Sequence, residues 1–155
     1  RVGGSVSPKG RCLLRGGLRT LSRRMQRRCD NAKGLAGCLS NHPSVGGVNY
    51  PGLPGHPGRD HARSWLTGWG GLLSFELVGG EAAARKLLQA VQLPACAPSL
   101  GGVETLITLP ADSSHAILSP QEREAAGIAP GLVRVSLGIE AQQDLIDDFA
   151  QALEA

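Results

Sequence analysis

At 155 residues with 41% apolar content, the chain is long enough for one continuous core and apolar enough that disorder is not the expected state. No apolar run approaches the roughly 18 residues that cross a bilayer, so no membrane association through a spanning helix is expected. The net charge of +3 is unevenly spread: residues 1–33 hold 10 of the 16 basic residues and one acid, Asp30, while the remainder has twice as many acids as bases.

Five aromatic residues leave the core to Leu, Val, Ile and Ala. The chain starts at Arg1 with no initiator Met and no apolar leader, which suggests a fragment without a signal peptide. Ser7-Pro8 is a helix start, with Ser as N-cap and Pro in the first helical position. From there Leu14, Leu18, Leu21, Met25, Cys29, Ala32, Ala36 and Leu39 recur at steps of three and four, an amphipathic helical stripe that Asn41-His42-Pro43 closes. Gly16-Gly17 costs this helix about 1 kcal/mol per glycine relative to Ala, and a bend is expected there. Arg11, Arg15, Arg19, Arg23 and Arg27 line one face of it. Such a face suits nucleic acid, plain solvation or an acidic protein partner; no aromatic residue interleaves it to stack bases, so nucleic acid is not the expected partner.

Val45 to Tyr50 forms a strand that runs into a turn-rich connection, Pro51 to Gly58. Leu73, Phe75 and Leu77 alternate with polar residues in a half-buried strand, and Glu81 to Val91 is a helix by propensity. Val103, Thr105, Ile107 and Leu109 alternate in a further strand. Ser119 and Glu122 make a capping box for a short helix that Gly127 ends. Leu132 to Leu137 is a strand with Arg134 and Ser136 on one face and Val133, Val135 and Leu137 on the other. A last helix, Glu140 to Ala155, buries Leu145, Ile146, Phe149 and Leu153. This order gives an α+β fold with one helix-covered, mostly antiparallel sheet.

Cys12, Cys29, Cys38 and Cys96 show no C-x-x-C spacing and no paired ligand pattern, so neither a disulfide nor a metal is expected, and a reducing cytoplasm fits best. His42, His56, His61 and His115 share no ligand spacing.

Five segments come in one order with consistent spacing: YPGLPGHP (Tyr50 to Pro57), GWGGLLSFEL (Gly68 to Leu77), SLGGVETL (Ser99 to Leu106), SSHAILSPQEREAAGI (Ser113 to Ile128) and GLVRVSLGIE (Gly131 to Glu140). Together they resemble the C-terminal part of the Cys/Met-metabolism family of pyridoxal-phosphate-dependent transsulfuration enzymes, of the cystathionine γ-lyase, cystathionine γ-synthase and methionine γ-lyase type. The first helix, with LRTL at Leu18 to Leu21, RRM at Arg23 to Met25 and DNA at Asp30 to Ala32, resembles the helix that links that family's two domains. It departs from the family at Cys12, where many members have a bulky aromatic, at Gly16-Gly17, where Arg-Gly is usual, and in its extra arginines, Arg11, Arg15 and Arg27.

The resemblance implies a linking helix over residues 1–41 and, over 42–155, the substrate-side domain of fold type I pyridoxal-phosphate enzymes, with the cofactor domain absent. It implies pyridoxal 5'-phosphate as cofactor, a small sulfur amino acid (cystathionine, methionine or an O-acylhomoserine) as substrate, and a homotetrameric parent. The family's cofactor lysine, ring-nitrogen aspartate and stacking tyrosine all lie upstream. Lys9, Lys33 and Lys86 stand outside the lysine context, so no catalytic or cofactor-binding residue is assigned and the fragment is expected to be inactive alone.

What the resemblance places here is the grip on substrate. Arg134 matches the arginine that holds the α-carboxylate, a role its planar fork suits; without the resemblance it reads as a surface strand arginine paired with an acid. Ser99 matches a serine of the same pocket, and Ser114 stands where many members have a Thr near the substrate. Pro98 provides no carboxylate, unlike the members that use a Glu there. A non-catalytic remnant serving as an assembly module is the alternative reading.

Overall fold

The structure is a computed structural model that describes residues 6–155. Helix α1 (Pro8–Ser40) begins where Ser7 Oγ accepts the amide of Gly10 at 3.1 Å. It continues as helix through Gly16-Gly17. Its stripe divides in two. Leu14, Leu18 and Leu21 are exposed, whereas Ala32, Leu35, Ala36 and Leu39 are fully buried.

After α1 come β1 (Val45–Asn49), α2 (Arg59–Trp65), β2 (Leu72–Leu77), α3 (Gly80–Ala90), β3 (Ala95–Cys96), β4 (Leu106–Thr108), a single 3-10 turn (Pro110–Asp112), α4 (Pro120–Ala125), β5 (Leu132–Ser136) and α5 (Gln142–Glu154). The strands form one sheet in the order β1-β2-β5-β4-β3. Every pairing is antiparallel except β3 with β4, so the sheet is mixed and mostly antiparallel. The α+β class expected from the sequence is the class observed.

One sheet face is the core. Leu73, Phe75, Val133, Val135 and Ile107 stand on it, and α1, α3 and α5 supply Leu35, Leu39, Leu87, Leu145 and Phe149. Phe75 and Phe149 meet edge-on with centroids 6.4 Å apart, a favourable arrangement of their quadrupoles. Burying a side chain of this size contributes about 1.5–3 kcal/mol. The other face is mixed: Leu72, Leu106 and Leu132 share it with Glu76, Ser136 and Arg134, and Arg134 stands between its register partners Ser74 on β2 and Thr108 on β4.

The expected strand over 103–109 is shorter. Only Leu106–Thr108 pair, because Thr105 turns its hydroxyl and amide to the carboxylate of Glu140, at 2.8 and 2.5 Å. Helix α2, strand β3 and the 3-10 turn were not expected. At α4 the capping box forms as expected, and Gly127 follows at φ +72°, a conformation favouring glycine.

Candidate functional site

The site is built from the sheet face that carries Arg134 and from the loop between β3 and β4. Arg134 lies in mid-strand between Val133 and Val135, both fully buried, so its backbone is rigidly held and its half-buried side chain leaves from the opposite face. Its Nη2 donates to the carbonyls of Pro98 and Ser99, at 2.6 and 3.1 Å. Its Nε is buried and has no acceptor among the described residues. No acid pairs with it; the ion pairs among the described residues are those of Arg85 with Glu81 and Asp112. The surface-pair alternative for Arg134 therefore finds no acid.

The loop is tied at a second point. The amide of Gly101, at φ +86°, donates to Ser136 Oγ at 3.3 Å. Ser136 also accepts from Arg28 Nη2 at 3.1 Å, while Arg28 Nε donates to the carbonyl of Leu137 at 2.6 Å. Arg28 is 6% exposed, and burial holds its guanidinium below the usual arginine pKa.

Of the sequence-derived candidates, Arg134 and Ser99 are brought together, but by the carbonyl of Ser99; the residue itself is exposed. Ser114 is exposed and its hydroxyl meets His115 Nδ1 at 2.8 Å. Its neighbour Ser113 is the one tied to the site's wall, through Thr108 Oγ1 at 3.1 Å. Arg28 and Ser136 were missed as members of this network. Nothing in a run of arginines distinguishes the buried one.

The turn after β5 is fastened to α1 and to the loop's far end. Asn31 Nδ2 donates to the carbonyls of Gly138 and Glu140, each at 3.1 Å, and Gly138 N donates to Thr105 Oγ1 at 2.9 Å. A Cβ on Gly138 would overlap the carbonyl oxygen of Val103, so only glycine allows this approach. Tyr50 is fully buried, and its hydroxyl donates to the carbonyls of Gly70 and Cys29, at 3.1 and 3.4 Å.

Lys33 and Lys86 are exposed on α1 and α3, and Lys9 is exposed in the first turn of α1. The four cysteines are unpaired, and no group of three or more His, Cys, Asp or Glu side chains could hold a metal among the described residues. No helix is long and apolar enough to cross a membrane.

A family model described as Cys/Met metabolism PLP-dependent enzyme matches residues 1–154. The chain is 43% identical over 153 residues to an L-methionine gamma-lyase of Fusobacterium nucleatum subsp. polymorphum, covering 99% of this chain and 39% of that protein. It is 41% identical to a cystathionine gamma-lyase of Bacillus subtilis, covering 99% of this chain and 40% of that one. Among solved structures, the cystathionine gamma synthase of Xanthomonas oryzae pv. oryzae in complex with cystathionine superposes with a TM-score of 0.89 at 43% identity, over 96% of this chain and 38% of that one.

Proposed function

The chain belongs to the PLP-dependent enzymes of Cys/Met metabolism and spans about two fifths of the length of its relatives, and from that premise we propose that it is the substrate-gripping part of a transsulfuration enzyme. In this reading residues 1–41 link two domains and residues 42–155 are the substrate side. The whole enzyme acts on a sulfur amino acid such as cystathionine, methionine or an O-acylhomoserine, by elimination or replacement at the β or γ carbon.

The observation that carries the reading is the state of Arg134. It is a half-buried guanidinium with no acid partner, its plane fixed by two backbone carbonyls and its Nε left without an acceptor. With no acid already paired to it, the guanidinium has no anion to give up before it takes an incoming carboxylate. A guanidinium held in place by the loop before the carboxylate arrives also loses little entropy on binding. Arg134 therefore anchors the α-carboxylate, Ser99 supplies a loop carbonyl that orients Arg134, and Ser114 stands at the rim. Pyridoxal 5'-phosphate, held by protein outside these residues, supplies the electron sink for the reaction. This chain's part is to hold the amino acid in one orientation while its Cα proton is removed.

The chain alone is inactive in this reading, because none of its lysines lies in a cofactor pocket. The exposed leucines of α1 suit a homotetrameric parent, and the unpaired thiols suit a reducing cytoplasm. In this reading the exposed arginines of α1 face solvent or an acidic protein partner, and no aromatic residue among residues 1–49 is there to stack bases. The test is to fuse this chain to the cofactor half of a relative and assay cystathionine, methionine and an O-acylhomoserine. Turnover by the fusion, absent from either half, is expected. A correctly folded, cofactor-loaded fusion that turns over none of them would support the remnant reading instead.

A further inference from the structure

We propose that Arg28 is a positioning residue for the Arg134 clamp, acting through the hydroxyl of Ser136 on the loop Pro98–Gly101. The proposal rests on the carboxylate reading of Arg134. Arg28 belongs to α1, 106 positions before Arg134 in the chain, and only the fold brings it to the end of β5. It is nine-tenths buried and has no carboxylate partner. A buried cation without a counter-ion is an expensive way to join a helix to a sheet, since an apolar side chain would do so with no desolvation cost. Its bonds show what the guanidinium does that an apolar residue could not.

Nε donates to the carbonyl of Leu137 at 2.6 Å, and Nη2 donates to Ser136 Oγ at 3.1 Å. Ser136 Oγ also accepts the amide of Gly101 at 3.3 Å, so both of its lone pairs are engaged and its rotor is fixed. Gly101 lies two residues beyond Ser99, whose carbonyl, with that of Pro98, holds Arg134 Nη2. The loop is thus gripped by two arginines from different elements: directly by Arg134, and through Ser136 by Arg28. Ser136 and Arg134 are two apart on one strand face, so the two grips act side by side. Gly71 packs over Arg28, where a Cβ would stand 2.9 Å from the Cβ of Arg28 and 3.3 Å from its Nε, which confines the guanidinium to this path.

Amide exchange in the 155-residue chain tests the loop, with Arg28→Met, Arg28→Lys and Ser136→Ala compared. In Arg28→Met the Gly101 amide is expected to exchange about tenfold faster or more, while Phe75 and Val135 in the central strands stay within about twofold. Arg28→Lys, which can still donate to Ser136, is expected to restore part of the protection. Ser136→Ala should reproduce the Met effect, and it serves as the test if Arg28→Met does not fold. In the fused enzyme the Arg28→Met change should raise KM for the amino-acid substrate about tenfold with kcat within about twofold, the pattern of lost binding rather than lost chemistry. Unchanged exchange at Gly101 in Ser136→Ala, or equal acceleration at Val135 and Gly101, would overturn the proposal. The exchange experiment contains no carboxylate, so it fails independently of the carboxylate reading, which fails through the kinetics of Arg134→Lys.

Discussion

At the scale of single residues, Tyr50 shows how a family segment can be structural. Its ring is fully buried, its hydroxyl bonds two backbone carbonyls, and burial pushes its pKa above the usual tyrosine value. A pKa raised in the folded state gives stability that is fully present below the unfolded value of about 10 and is lost as the pH climbs towards the folded one. Tyr50 is the only tyrosine, so near-ultraviolet tyrosinate absorbance follows it alone. Ionisation is expected only together with loss of the far-ultraviolet circular dichroism. Tyr50→Phe should flatten the fall in stability above pH of about 10 while costing about 0.5–1.5 kcal/mol at neutral pH. A smooth ionisation at the ordinary value in the folded protein would refute this. The sequence showed Tyr50 as part of a turn motif but carried no sign of its partners, since Gly70 and Cys29 reach it only through the fold. Arg28 was illegible for the same reason: among ten basic residues in 33, the buried one is marked only by the sheet end it meets.

At the scale of elements, alternation and capping were legible, and short elements were not. Leu73, Phe75 and Leu77, and Val133 with Val135, fall on the core face that their period of two implies. The capping box of α4 was written in Ser119 and Glu122. Strand β4 lies inside the alternating run over 103–109 but keeps only three of its residues, all buried, and β3 is two residues long, recognisable only by its pairing with β4. Helix α2 buries no residue and so has no apolar stripe. Helix α1 is the instructive case. Its stripe is continuous in sequence, yet only the second half, from Arg28 onward, is buried; Leu13, Leu14 and Leu18 are 69, 58 and 57% exposed. That half has propensity and a cap but no packing, and most helical stability in proteins comes from packing. Amide exchange is therefore expected to be fast before roughly Leu18 and slow from Ala32 to Leu39 in this chain. Uniform strong protection along α1 would show that its first half needs no further protein.

At the scale of the whole molecule, the chain is one core, and in the reading proposed above it holds the substrate-gripping part of a site, with Arg134 on the sheet face away from that core and Lys9, Lys33 and Lys86 exposed. Treatment with pyridoxal 5'-phosphate, borohydride reduction and peptide mapping should give scattered partial labelling of Lys9, Lys33 and Lys86. Stoichiometric labelling at one of them would place a cofactor site within this chain. The family and the fold class were legible because five motifs keep their order and spacing, and much of what those motifs and the DNA segment of α1 encode is bracing: Asn31, Thr105, Gly138 and Glu140 fasten one turn. The part of Arg134 is tested most directly in the fusion with a relative's cofactor half, by comparing kcat/KM for Arg134 and for Arg134→Lys. Lysine keeps the charge and loses the fork, so a loss of roughly 2–4 kcal/mol in transition-state binding is expected, with the cofactor's absorbance unchanged. Equal kcat/KM for the two proteins would contradict the assignment and leave Arg134 a brace for its loop.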